Sequence, residues 1–107
     1  MDKLRITLFA LALAASFAGT ALAAGPDVFR EQGCNKCHTV TGASIPRADP
    51  HDEEAKDLST VGSRYDKKTI ALFLLKKGEI EGEKHKKQFG GTTEQLKVLA
   101  EWLESLK

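Results

Sequence analysis

The residues of this chain best equipped for chemistry are Cys34, Cys37 and His38, in the run Cys34-Asn35-Lys36-Cys37-His38. Two cysteines separated by two residues, with a histidine directly after the second, form the C-x-x-C-H pattern of covalent haem attachment. The sulfurs of Cys34 and Cys37 can add to the porphyrin vinyl groups as thioethers, and His38 then lies where its imidazole reaches the iron as the proximal axial ligand. A bare C-x-x-C also serves as a dithiol redox pair or as half of a zinc site. Both need parts that are missing here. The sequence contains two cysteines in all, and a thioredoxin-like motif follows a strand in a βαβ frame, whereas the segment before Cys34 is short and helix-like. The implied cofactor is one covalently bound haem c.

The start of the chain supports that reading. Residues 1–23 carry basic Lys3 and Arg5, an apolar run from Ile6 to Ala18, and Ala21-Leu22-Ala23 ahead of Ala24. This is the pattern of a secretory signal peptide, and cleavage is expected after Ala23. The apolar run is short for a bilayer span and ends in small residues, not in a basic stop-transfer cluster. No cysteine stands at the cleavage site, so neither a lipid anchor nor an integral membrane anchor is expected in the processed chain. Haem attachment outside the cytoplasm agrees with export, in a bacterium to the periplasm.

Residues 24–107 then form one small domain. Chains of this size bury little apolar surface by themselves, and a haem in the core supplies the largest apolar object the polypeptide lacks. Loss of Lys3, Arg5 and Asp2 leaves equal numbers of basic and acidic residues, so the processed polypeptide is formally neutral. That balance argues against nucleic acid or an anionic membrane as the main partner. Charge is nonetheless clustered: Asp49, Asp52, Glu53, Glu54 and Asp57 crowd one segment, and Lys84, Lys86 and Lys87 another. Charge runs of this kind are most often solvated surface.

Three helices position these groups. The first covers residues 26–32, opening at Pro26 or Asp27 and stopping at Gly33. The second is expected over residues 67–77, behind Asp66 as N-cap, with Ile70, Phe73, Leu74 and Leu75 as its apolar residues and Gly78 as its stop. The third opens with the capping box Thr92/Gln95 and repeats Leu96, Leu99, Trp102, Leu103 and Leu106 at helical spacing to the chain end. Residues 39–63, with Gly42, Pro46 and Pro50, read as an extended loop broken by short turns. A loop that long in so small a domain needs something to fold around, and the haem is the candidate.

With these elements in place, nearly all of residues 24–107 resembles the class I cytochrome c family. Phe29 ahead of the first cysteine and Trp102 in the last helix look like the family's crossed terminal helices. The run Asp57-Leu58-Ser59-Thr60-Val61-Gly62-Ser63-Arg64-Tyr65 is similar to the family's segment before the middle helix. The resemblance implies an all-α, cytochrome c-like fold of about three main helices wrapped around one covalently bound haem c. It also implies a loop proline, Pro46 or Pro50, whose carbonyl accepts a hydrogen bond from His38 and raises its basicity as a ligand.

The chain departs from the family at the iron's other face. Most members complete the iron with a methionine just before the last helix, and the one methionine of this chain is Met1. In its place stands Gly82-Glu83-Lys84-His85-Lys86-Lys87-Gln88-Phe89-Gly90-Gly91, with Lys86 in the methionine slot and His85 beside it. His85 is the expected sixth ligand, because neutral imidazole binds iron near neutral pH. Lys86, the first alternative, must lose a proton from a pKa near 10.4, a penalty of about 4 kcal/mol at pH 7. His51, in the acidic loop, is the second. Phe73, Leu74, Leu58, Phe89 and Leu99 are candidate haem-packing residues, although ordinary helix core gives nearly the same sequence.

These expectations together describe an electron carrier and not an enzyme, passing one electron at a time between redox or haem proteins of a respiratory chain. Replacing a thioether by imidazole lowers the reduction potential. Partners would dock transiently near the haem edge, by the Lys84, Lys86 and Lys87 cluster. The alternative is a haem-based gas-binding or sensor protein, or a small peroxidase, with an open or displaceable sixth position.

Overall fold

The computed structural model describes residues 24–48 and 56–107. The signal-peptide segment, Pro50, His51 and most of the acidic run lie outside the described residues. Three α-helices form as the sequence leads one to expect: α1 (Gly25–Glu31), α2 (Lys67–Leu74) and α3 (Thr93–Glu104). Single 3-10 turns occupy Cys34–Lys36, Thr41–Ala43 and Val61–Ser63. Among the described residues the extended structure amounts to two isolated bridges, Val40 with Ile45 and Ile80 with Glu83. The fold is all-α.

The core forms where α1 and α2 pack on α3. On α3, Leu96, Leu99, Ala100, Trp102 and Leu103 are buried along one stripe, as a helical repeat of apolar residues demands. Its start is fixed by both bonds of the capping box, Gln95 N–H to Thr92 Oγ1 and Thr92 N–H to Gln95 Oε1. α1 crosses it with Phe29 set edge-on to Trp102, ring centres 5.6 Å apart at 67°. The crossing is close because Gly25 has no side chain: a Cβ there would sit 2.2 Å from Trp102 Cβ.

α2 is held at its N-terminus by two carboxylates. Asp66 caps it by accepting from Thr69 N–H at 2.8 Å, and Glu104, at the end of α3, accepts from Lys67 N–H at 2.7 Å. Both match the partial positive charge of a helix start. The far end is shorter than expected. α2 stops at Leu74, not Lys77, because Lys76 turns left-handed at φ 58°. Lys77 N–H then bonds to Leu72 O and Lys76 N–H to Phe73 O, the paired bonds of a Schellman ending. A lysine, and not Gly78, takes the position where glycine is usual. α3 likewise ends at Glu104 before the chain terminus, and Leu106 O goes on to accept from Gly62 N–H at 2.7 Å.

The long loop has a small core of its own that the sequence reading missed. Val40 and Ile45 are fully buried and exchange two backbone hydrogen bonds, at 2.9 and 3.0 Å, around the Thr41–Ala43 turn.

Candidate functional site

Gly33, left-handed at φ 73°, swings the chain out of α1 and into the Cys34–Lys36 turn. Cys37 N–H and His38 N–H both return to Cys34 O, at 3.3 and 3.0 Å. Cys34, Cys37 and His38 thereby line one cleft of about 610 Å³, within the usual size of a cofactor site. All five apolar residues singled out from the sequence, Leu58, Phe73, Leu74, Phe89 and Leu99, line it as well. The sequence reading missed Val61, Ile70 and Leu103, which complete its walls. Ile70 and Leu103 carried the signal of helical apolar periodicity, read only as helix faces, and Val61 lay within the run Asp57–Tyr65.

Burial pushes the Cys34 thiol above its ordinary pKa, against weaker pulls from its own backbone N–H and from Lys87. A catalytic dithiol needs the opposite shift, toward thiolate. His38 Nδ1 lies 2.8 Å from Lys56 O. This bond places the Lys56 carbonyl, not that of Pro46, on the His38 ring where the chain re-enters beside it, while Pro50 lies outside the described residues. A carbonyl has no side-chain signature, and nothing in the sequence could have singled out Lys56.

Across the cleft, a two-residue turn at Glu81 and Gly82, with φ 53° and 80°, precedes His85. Positive φ at both central residues is the type I′ pattern that closes tight hairpins, and the Ile80–Glu83 bridge spans it. His85 Nδ1 donates to Lys87 O, and Phe73 packs on the ring edge-to-face at 5.2 Å. The imidazoles of His38 and His85 are nearly parallel, 15° apart, with centres separated by 6.2 Å. Lys86 also borders the cleft and is exposed. His51 lies outside the described residues.

Residues 22–107 match the family model for cytochrome c. The chain belongs to the cytochrome c family. Comparison with curated proteins and with solved structures gives no match. Proteins of the cytochrome c family bind covalently attached haem c, act in electron transfer and interact with redox partners. Among the described residues of this cytochrome, no helix is long and apolar enough to cross a membrane.

The side chains present fit the group. Two imidazoles on one metal stand apart by two metal–nitrogen bonds of about 2 Å each plus about 1.1 Å from nitrogen to ring centre on each side, about 6.2 Å in all. The ring centres of His38 and His85 are 6.2 Å apart, a spacing at which both could hold one metal. A backbone carbonyl on Nδ1 selects the tautomer with its lone pair on Nε2, the arrangement of a metal-binding histidine. Among the described residues no group of three or more His, Cys, Asp or Glu could hold a bare metal ion.

Proposed function

We propose that this cytochrome is an exported, low-potential one-electron carrier whose haem c is attached through Cys34 and Cys37 and ligated by His38 and His85. The observation that carries this reading is the facing pair of imidazoles, 6.2 Å apart, each with Nδ1 at a backbone carbonyl. Residues 1–23 supply the export signal, and the periplasm is the destination. Haem c supplies a one-electron iron couple when bound.

Every other contribution comes from the chain. Each Nδ1–H donated to a carbonyl makes its imidazole more electron-rich, which favours the oxidised state and lowers the potential. Lys86 is the weaker ligand, because its amine must first shed a proton at a cost of about 4 kcal/mol at pH 7. If His38 and His85 both hold the iron, the site would offer no open coordination position to a substrate, which suits a carrier and not an enzyme. Lys84, Lys86 and Lys87 are exposed on the distal loop and give an acidic redox partner a place to dock, with fast, salt-sensitive association.

The test is the visible spectrum of the purified holoprotein, oxidised and reduced, with carbon monoxide added to the reduced form. A low-spin spectrum unchanged by carbon monoxide is expected, together with rapid carbon monoxide binding in His85→Ala. Rapid binding by the unaltered protein would overturn this ligation and favour a gas-binding, sensor or peroxidase role.

A further inference from the structure

The segment that carries the Lys56 carbonyl is tied to the chain following His38 by a short ladder of hydrogen bonds. Leu58 N–H bonds to Thr39 O at 2.9 Å. The Asp57 carboxylate accepts from Thr41 N–H at 3.1 Å, from Ser59 N–H at 3.3 Å and from Ser59 O–H at 2.9 Å. Ser59 Oγ in turn accepts from Gly42 N–H at 2.9 Å. The rung nearest the cleft is His38 Nδ1 with Lys56 O. The Lys56 side chain adds only a loose pair with Glu81 at 3.7 Å, both partners more than half exposed, and such pairs contribute little.

We propose that Asp57 is a positioning residue for His38: its carboxylate clasps residues 56–59 against residues 38–42, keeps the Lys56 carbonyl on Nδ1, and so sets the basicity of that imidazole and the reduction potential. The proposal rests on the reading of His38 as axial ligand. A carboxylate suits the task because its oxygens accept several bonds at once, and bonds to an ionised acceptor are the stronger ones. The carboxyl group itself bears this out. The small burial at Asp57 acts to raise its pKa, yet the bonds from Thr41 and Ser59 together bring it below the ordinary value. The Asp57 side chain bonds to Thr41 and Ser59, and Asp57 itself is not a lining residue of the cleft, although its neighbours Lys56 and Leu58 are. Its influence passes through the position of one backbone carbonyl.

The experiment is a potentiometric titration of the holoprotein beside thermal unfolding, for Asp57→Ala, Asp57→Asn and Ser59→Ala. When the carbonyl drifts from Nδ1 the imidazole becomes a poorer donor and the oxidised state loses support, so the midpoint must rise. For Asp57→Ala the expected change in the ferrous-to-ferric ratio at fixed poise is about tenfold, the lower end of the effect of losing a group behind a metal ligand. For one electron that is about 59 mV. Asp57→Asn keeps an acceptor oxygen and should return most of the way to the unaltered value. Ser59→Ala keeps the carboxylate but removes both bonds of the Ser59 hydroxyl, and should give a smaller rise, which covers the case in which Asp57→Ala does not fold. An unmoved midpoint in these variants, even with a lowered melting temperature, would overturn the proposal. His38→Ala separates it from the reading beneath: loss of the low-spin spectrum there, with an unmoved midpoint in the Asp57 and Ser59 variants, overturns the clasp alone. A retained low-spin spectrum in His38→Ala overturns the ligation and the clasp with it.

Discussion

Gly62→Ala should destabilise this protein well beyond what one methyl group suggests. A Cβ at Gly62 would lie 1.8 Å from Glu104 O, 2.4 Å from Glu104 C and 2.8 Å from Leu106 O. All three are backbone atoms at the end of α3, so no side chain can rotate away. The Val61–Ser63 turn must back off from α3, and the 2.7 Å bond from Gly62 N–H to Leu106 O goes with it. The lost bond costs about 1 kcal/mol, and forced separation of a packed contact adds about 1–3 kcal/mol. Against this, alanine restricts the unfolded chain and returns about 0.4–1 kcal/mol. The net loss is about 2 kcal/mol. In a domain of this size each kcal/mol moves the melting temperature by about 4–8 °C, so a fall on the order of 10 °C is expected. The assay is thermal and guanidinium unfolding of the holoprotein, followed by far-ultraviolet circular dichroism. Val61 lines the cleft, so the haem absorption bands should shift as well. A melting temperature within experimental error of the unaltered protein would refute the close approach of the turn to α3.

Three further outcomes are expected. Lys76→Gly should stabilise by about 0.5–1 kcal/mol, because φ 58° at that position costs a lysine more than a glycine; a lower guanidinium midpoint would contradict the α2 ending. Trp102→Ala removes the ring against Phe29 and Gly25 and should cost about 3–5 kcal/mol, read as a fall in the unfolding midpoint; a change below about 1 kcal/mol would contradict the α1–α3 crossing. Acid should weaken α2. The backbone and side-chain bonds from Thr69 hold the Asp66 carboxyl below its ordinary value, so the unfolded chain takes up that proton first. The cap's contribution is therefore complete above about pH 3.9 and lost as pH falls through the depressed native value. Asp66→Asn should flatten the acid limb of melting temperature against pH, and an unchanged slope would count against the cap.

What was legible in the sequence follows from where each piece of chemistry resides. Cys34, Cys37 and His38 are a local pattern of reactive side chains, and a local turn presents them. His85 could be picked out because the chain has only three histidines and imidazole differs sharply from its lysine neighbours in proton affinity. The α3 capping box and the Asp66 cap are equally local and stand as expected. What escaped was carried by backbone or by distant contact. The Lys56 carbonyl is 18 positions from His38, and any residue type could have supplied it. Val40 and Ile45 form a buried pair in a stretch whose glycine and proline content suggested an open loop. The end of α2 was misjudged because Gly78 looked like the stop, whereas Lys76 takes the left-handed turn and the Leu72 and Phe73 carbonyls accept from the Lys77 and Lys76 N–H groups. Gly25 and Gly62 gave no sign that two helix contacts depend on their missing side chains.

The two histidines are secured over very different reaches of chain. His38 is steadied by a carbonyl 18 positions away, while His85 relies on one only two positions away, behind the hairpin at Glu81 and Gly82. In the proposed ligation the distal histidine thus has its hydrogen-bonded orienting group within its own short segment, with Phe73 of α2 as the packing contact from outside it. Exchange of that segment would leave the carbonyl behind His38 in place. Divergence in redox behaviour among proteins built this way would then be concentrated in one short exchangeable stretch, while the attachment side stays fixed by contacts that no local insertion can reproduce.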